Sequence, residues 1–359
     1  MKKFLFLNQG QTLIEYALVL SFFAAVFTVS IPPLRIATVD AINRITDQLN
    51  QNLLDVFPEW PGDESGGGSG GGTGGGTLEP WLPPELSLLD NNVIYSADNI
   101  VLQGSSKIFG NVVTNGTVIT SGSSSVTGTI FDNANYNWNF PFPVYPEIPT
   151  DSFIAKGDYK LKGGGPVETI SENGYYNKFE ILNNRELVFN TGNEGDVLTI
   201  LVDDFNVTQG KIRVEGDGKL ILKVNNSFNF GGGSEFNRSG LPENVMMYYS
   251  GQDSLEFFGN TKFNGSIYAE SAGARFGGST NIKGNIFLAG EQVNVSDGGA
   301  ANLSDALLYA PNANLKLVGS ASIEGRIIAN SITGIGNARI TFKPVELEDD
   351  FFWDILNPE

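Results

Sequence analysis

Residues 104–133 read GSSKIFGNVVTNGTVITSGSSSVTGTIFDN, with a glycine at every sixth position: Gly104, Gly110, Gly116, Gly122 and Gly128. Between the glycines stand short runs of β-branched and apolar residues, the composition of strands separated by tight turns. The same spacing returns at Gly259–Gly265, Gly278–Gly284 and Gly319–Gly325, each time followed by an apolar strand ending in alanine, SIYA, NIFLA and RIIA. A short fixed period with alternating apolar positions predicts a β-solenoid, in which each strand forms one face of a coil and Gly or Asn turns the corner. Stacked coils then bury a continuous core, with Val112, Val118, Val126, Ile130, Ile267, Ile286 and Ile327 as the expected inward positions.

The stretch LYAPNANLKLVGSASIEGRIIANSITG (308–334) resembles the Gly/Asn-rich coils of bacterial surface β-helices and of bactofilin-like polymer-forming domains. The fold expected for residues 88–345 is therefore mainly β, a β-solenoid passenger domain. An irregular β-sandwich with glycine-rich turns stays open as the alternative, because the hexad lapses between residues 132 and 255. Within that gap, KFEILNN, ELVFN, VLTILVDDFNV and KLILKVNNSFNF are strand candidates. Residues 132–150, DNANYNWNFPFPVYPEIPT, are rich in aromatics and proline and are expected to form a loop covering the core. Tyr136, Trp138, Phe140, Phe142 and Tyr145 either cover the core or stack on sugars, and covering the core is the ordinary role.

Composition removes whole classes of function. The chain of 359 residues has no cysteine and no histidine, so zinc, iron–sulfur and haem sites, His-dependent triads and Cys nucleophiles are excluded. A net charge of −18, from 40 acidic against 22 basic residues with no Lys/Arg cluster, argues against nucleic acid as a partner. No cofactor is implied. An enzyme would have to rely on carboxylates, with Asp203, Asp204, Asp217, Asp349 and Asp350 as candidates. Strand neighbours point to opposite faces, so Asp203 and Asp204 share a groove only if a bulge intervenes. The reading is that the protein is not an enzyme.

Upstream of the β region the chain changes character. Residues 58–84, PEWPGDESGGGSGGGTGGGTLEPWLPP, hold nine glycines between 66 and 76. Such a coil spans about 5–6 Å times the square root of its length, so some 16 residues reach roughly 20–25 Å. Residues 58–87 are thus a flexible tether that stiffens at Pro80, Pro83 and Pro84.

At the N-terminus, Lys2 and Lys3 precede an apolar run from Leu13 to Ile31, about the length that crosses a ~30 Å hydrocarbon core. Glu15 sits near its front edge, and a carboxylate in lipid needs a compensating charge. Gly10, Gln11, Glu15 and Tyr16 together spell Gly-x-x-x-x-Glu-Tyr, which resembles the class III leader of Flp-type (type IVb, Tad-like) pilins. The resemblance implies cleavage between Gly10 and Gln11 by a prepilin peptidase. It also implies that Glu15 neutralises the new amino terminus of a neighbouring subunit, with Tyr16 as the family hallmark. Ile36, Val39, Ile42, Ile45, Leu49, Leu53 and Val56 continue at helical spacing, with Pro32 and Pro33 interrupting.

The expected organisation is a leader (1–10), a hydrophobic pilin-like helix (11–57), the tether (58–87), the solenoid (88–345) and an acidic aromatic C-terminal cap (346–359). The resemblance places the chain in the cytoplasmic (inner) membrane before assembly and then in an extracellular filament or on the cell surface. Its partners would be the prepilin peptidase, other pilin subunits through the N-terminal helix, and a surface polysaccharide or a host or abiotic surface. The other reading is a membrane-anchored β-solenoid that binds or modifies polysaccharide without assembling into a pilus.

Overall fold

The computed structural model describes residues 92–135, 138, 140, 142–143, 148, 153–296 and 299–344. The chain divides into Met1–Gly75 and Gly76–Glu359, and every described residue belongs to the second unit. The leader with Gly10, Gln11, Glu15 and Tyr16, the apolar helix, the tether and the C-terminal cap all lie outside the described residues. Among the described residues no helix is long and apolar enough to cross a membrane.

The described chain is a β-solenoid of about 11 turns with parallel pairing throughout. One coil runs through strands Ser266–Ala269, Ala274–Phe276 and Asn281–Lys283, on three successive faces. The next coil repeats it in register, Ile267 beside Ile286, Phe276 beside Val295 and Ile282 beside Leu303.

Glycine sets the corners. Each pair Gly259/Gly265, Gly278/Gly284 and Gly319/Gly325 brackets the short strand of one face, which we call the hexad face. In residues 104–128 the hexad governs all three faces, and three hexads make one coil: equivalent residues are 18 apart, as in the bond from the Thr117 amide to Asn99 Oδ1. Gly104 and Gly122 turn the same corner on successive coils with φ of 75° and 74°, the left-handed region that L side chains avoid. A Cβ on Gly104 would lie 2.8 Å from the Gly336 carbonyl, so backbone packs directly on backbone.

The hexad lapses between residues 132 and 255 because the coils there are wider, not because the architecture changes. Strands Gly174–Leu182, Val197–Thr208 and Lys219–Gly231 are long, and their cross-coil bonds join residues 23 apart. The extra girth holds phenylalanine: Phe179, Phe205 and Phe228 stack at 5.8 and 5.5 Å, with rings within 13° of parallel. All four strand candidates of this region are strands of the solenoid, and the sandwich alternative is overturned.

The order of coils in space differs from their order in sequence. The chain winds continuously from Ala155 to Phe342, yet the coil ending at Phe342 is followed in the stack by the first strands of the domain. Ile94 of Asn92–Ser96 pairs with Ile327, Ile100 of Ile100–Gly104 with Ile332, and Ile108 of Lys107–Phe109 with Ile340. Asn111–Thr114, Val118–Thr120 and Ser125–Val126 form the next coil, and Ile130–Phe131 begins the last turn.

The expected core residues Val112, Ile267, Ile286 and Ile327 are fully buried. Val118 and Val126 are only partly buried, and Ile130 is 41% exposed. That is a correction with a simple cause: these three lie at the end of the stack, where no further coil covers them among the described residues.

Residues 132–154 link Ile130–Phe131 in sequence to Ala155–Leu161, and we call this proline-rich segment the strap. Its described residues Trp138, Phe140, Phe142 and Ile148 pack on an outward row that includes Tyr95, Tyr248, Tyr268, Phe287, Tyr309 and Ile328. Phe142 lies 5.1 Å from Tyr268 and 6.2 Å from Tyr309, and the Tyr268 hydroxyl donates to the Pro143 carbonyl. The described aromatics of this segment cover the solenoid, as expected; Tyr136 and Tyr145 lie outside the described residues.

Candidate functional site

With the aromatic face covered by the strap, the hexad face and the third face are left to meet a partner. On the hexad face, register aligns Glu186, Lys211, Glu235 and Lys262 across four coils, then Asn281, Asn302 and Ser322. Alternating charges at one end thus give way to amides and a hydroxyl, and the row then continues through Arg339 and Lys107 to Ser125. Lys262 pairs with Glu235 at 3.5 Å, and Arg213 binds Glu186 and Glu215.

The third face carries the more distinctive arrangement. Three strands present the triplets Lys178-Phe179-Glu180, Asp204-Phe205-Asn206 and Ser227-Phe228-Asn229 in register. The phenylalanines point inward and the flanking polar residues outward, as strand alternation dictates. The outward groups line a shallow groove of about 290 Å³. They are tied to one another: Asn229 Nδ2 donates to Asn206 Oδ1 at 3.1 Å, Ser227 Oγ to Asp204 Oδ1 at 2.6 Å, and Lys160 pairs with Glu180. The bond from Lys160 holds the Glu180 carboxyl below its ordinary range.

Asp203 and Asp204 do both face outward, because the pairing of Val197–Thr208 with Lys219–Gly231 shifts register between Val202 and Asp204. Their oxygens are already engaged. Asp203 accepts from the Tyr175 hydroxyl at 2.5 Å and from Asn225 Nδ2 at 3.0 Å. The bond to Asp203 raises the Tyr175 pKa above the ordinary tyrosine value. Asp217 is exposed on a turn, with its amide bonded to the Gly192 carbonyl, and Asp349 and Asp350 lie outside the described residues. Among the described residues no three His, Cys, Asp or Glu gather as a metal site.

A second cleft, about 360 Å³, opens where Ser171, Asn173, Asn190, Thr191 and Asp196 meet. Asn173 Oδ1 accepts from the Thr199 amide and Asp196 Oδ2 from the Asn193 amide, so these side chains brace the corner that forms the cleft. Sequence reasoning did not single out the amide-and-carboxylate rows. The recurring x-Phe-Glu/Asn triplet was their signal, spaced at the wider coil length instead of the hexad.

Residues 150–307 match a family described as a domain of unknown function, DUF7305. No curated protein matches the sequence. Among solved structures, the chain is similar to an ice-binding protein from an Antarctic Biological Consortium, at 15% identity over 73% of this chain and 93% of that one, with a TM-score of 0.27. It is also similar to an ice-binding protein from the Antarctic ascomycete Antarctomyces psychrotrophicus, at 12% identity over 72% and 98%, with a TM-score of 0.28. At those values neither likeness bears on ligand or function.

Proposed function

We propose that the protein is a pilin-like surface subunit: a Flp-type N-terminus that anchors in the membrane and then in a filament, carrying a β-solenoid outside the cell for adhesion or surface contact. The observation that carries this reading is the run Gly10, Gln11, Glu15, Tyr16 at the head of the apolar segment Leu13–Ile31. A carboxylate at the head of a membrane-length apolar run is costly, and the amino terminus of a neighbouring subunit would compensate it. The nine glycines between residues 66 and 76 supply the length needed to hold a bulky domain clear of a filament wall. Nothing in this role calls for catalysis. Intact-mass or terminal-peptide analysis of surface-sheared protein tests it: a mature chain starting at Gln11 supports it, and Met1 retained in membrane-bound protein removes it.

A second reading, an anchored solenoid that contacts polysaccharide without filament assembly, is favoured by the groove of carboxylates, amides and a lysine on the third face. Planar polar side chains in a shallow cleft suit sugar hydroxyls. Glycan-array binding that is lost in Asn206→Ala and Asn229→Ala, together with a retained Met1, would select it.

A further inference from the structure

Among the described residues two phenylalanines are exposed, and their settings differ. Phe131, 50% exposed, lies at the end of the stack, whereas Phe258, 44% exposed, lies within it, on a strand paired on both sides. In Leu255–Phe258 the inward residues Leu255 and Phe257 alternate with the outward Glu256 and Phe258. Packing in the core therefore does not account for Phe258.

Register sets Phe258 beside Gly231, and Gly231 beside Thr208. The missing side chain at residue 231 makes a seat for the ring: a Cβ there would lie 2.6 Å from Phe258 Cε2 and 2.8 Å from its Cζ. On the other side, a Cβ on Gly277 would find the Phe258 Cβ at 3.9 Å and no atom of the ring within 4 Å. The ring thus leans onto Gly231 and leaves its outer side open. Two residues back along these strands stand Asn206, Asn229 and Glu256, in register on three successive coils and facing outward. Asn206 and Asn229 line the groove of the third face, so the ring stands at the groove's edge. From Glu180 to Glu256 this strip crosses four coils, about 14 Å at 4.7–4.9 Å per coil.

We propose that Phe258 is a stacking platform for an uncharged hexopyranose unit of a polysaccharide lying along the stack, with Asn206 and Asn229 binding its hydroxyls. This role rests on the second functional reading, contact with polysaccharide. A pyranose ring has an apolar face of C–H groups and a rim of hydroxyls, so a site for it needs an aromatic face beside donors and acceptors. The side-chain amides supply both kinds of group. Charges along the strip are mixed in sign, with Lys178, Glu180, Asp204 and Glu256 followed in the row by Arg275, so neither a sugar acid nor an amino sugar is favoured.

The test applies the full-length chain to an array carrying uncharged hexose oligomers beside uronic-acid oligomers. The expected result is binding to uncharged oligomers that weakens about tenfold in Phe258→Ala and in Phe258→Leu and is kept in Phe258→Tyr. Leucine keeps apolar bulk over Gly231 and removes only the flat ring, which separates stacking from a merely structural role, and protease resistance is measured on every variant. Parent-like binding by Phe258→Leu, or binding confined to uronic-acid oligomers, overturns the proposal. If Asn229→Ala abolishes binding while Phe258→Leu does not, the platform falls and the polysaccharide reading stands. If the parent chain binds no oligomer, both fall.

Discussion

The Ser96 hydroxyl donates to the backbone carbonyl of Asn330 at 3.0 Å, joining residues 234 apart in sequence. That bond lies at the seam where the first coils of the domain stack on its last continuous coil. The seam is as regular as any other junction: Ile94, Tyr95 and Ser96 run in register with Ile327, Ile328 and Ala329 on one side and with Val112, Val113 and Thr114 on the other. The consequence is kinetic as well as structural. Residues 92–131 leave the ribosome first, but the surface they stack on is made last, so a segment with open strand edges and only two charged residues, Asp98 and Lys107, waits for its partner. Long-range parallel pairing of this kind is slow to form and prone to aggregation meanwhile.

If the seam is an ordinary part of the core, Ile94→Ala and Ile327→Ala should each cost about 2–5 kcal/mol, as for other buried isoleucines. Because the two side chains are in-register neighbours, their effects should not add. Hydrogen exchange across residues 322–342 checks this. Protection there should fall in Ile94→Ala, and unchanged protection would mean that the N-terminal block is a separate unit.

The corner glycines offer a sharper test. Gly104→Ala forces an L side chain into φ 75° and drives its Cβ toward the Gly336 carbonyl. The expected loss is about 1–3 kcal/mol from the backbone conformation alone. Gly164→Ala is the control, since Gly164 has open space around it and no positive φ. Urea midpoints of the two variants should separate, and equal midpoints would reject the role of the corner.

These glycines also explain what could be read from the sequence. Gly104, Gly110, Gly116, Gly122 and Gly128 announce the solenoid because each corner there is one tight turn and each face the same length. Phe179, Phe205 and Phe228 hid it, because stacked rings widen the coil and lengthen the strands past any hexad. The seam at Ile94 and Ile327 was not legible at all, since periodicity records how a coil is built and not which coil it stacks on. Asp203 and Asp204 show the same limit on a smaller scale: the bulge that turns both outward is a register shift between strands more than twenty residues apart.

The strap should be held chiefly by its rings. Phe142→Ala removes a half-buried aromatic from Tyr268 and Tyr309, for which a loss of up to about 3 kcal/mol of local stability is expected. Limited proteolysis should then cut within residues 132–152 before any other part of residues 92–344. Cutting that begins instead in the strands would show that the strap does not protect itself through this contact.

The response to pH follows from what the chain lacks and what it buries. With no histidine and no cysteine, no side chain has an ordinary pKa between about 6 and 8, so stability should be flat across neutrality. Burial raises the pKa of Tyr309, of Tyr159 (helped by its bond to Glu168), and of Tyr176 and Tyr249. A raised folded-state pKa means that the folded form holds its proton more tightly. The stability tied to these tyrosines is therefore complete below the ordinary tyrosine value of 10.0 and is lost as pH rises through the raised values. Glu180 has the opposite sign: Lys160 lowers its pKa, so its contribution is present above 4.5 and fades as pH falls through the lowered value. That contribution should be small and salt-sensitive, since the pair is partly exposed. Denaturation midpoints of the full chain measured from pH 4 to pH 12 should show a plateau and then a steep alkaline decline. Tyr309→Phe should soften that decline, because it removes one buried hydroxyl that must ionise on unfolding, and a decline identical to that of the parent chain would exclude Tyr309 as a source.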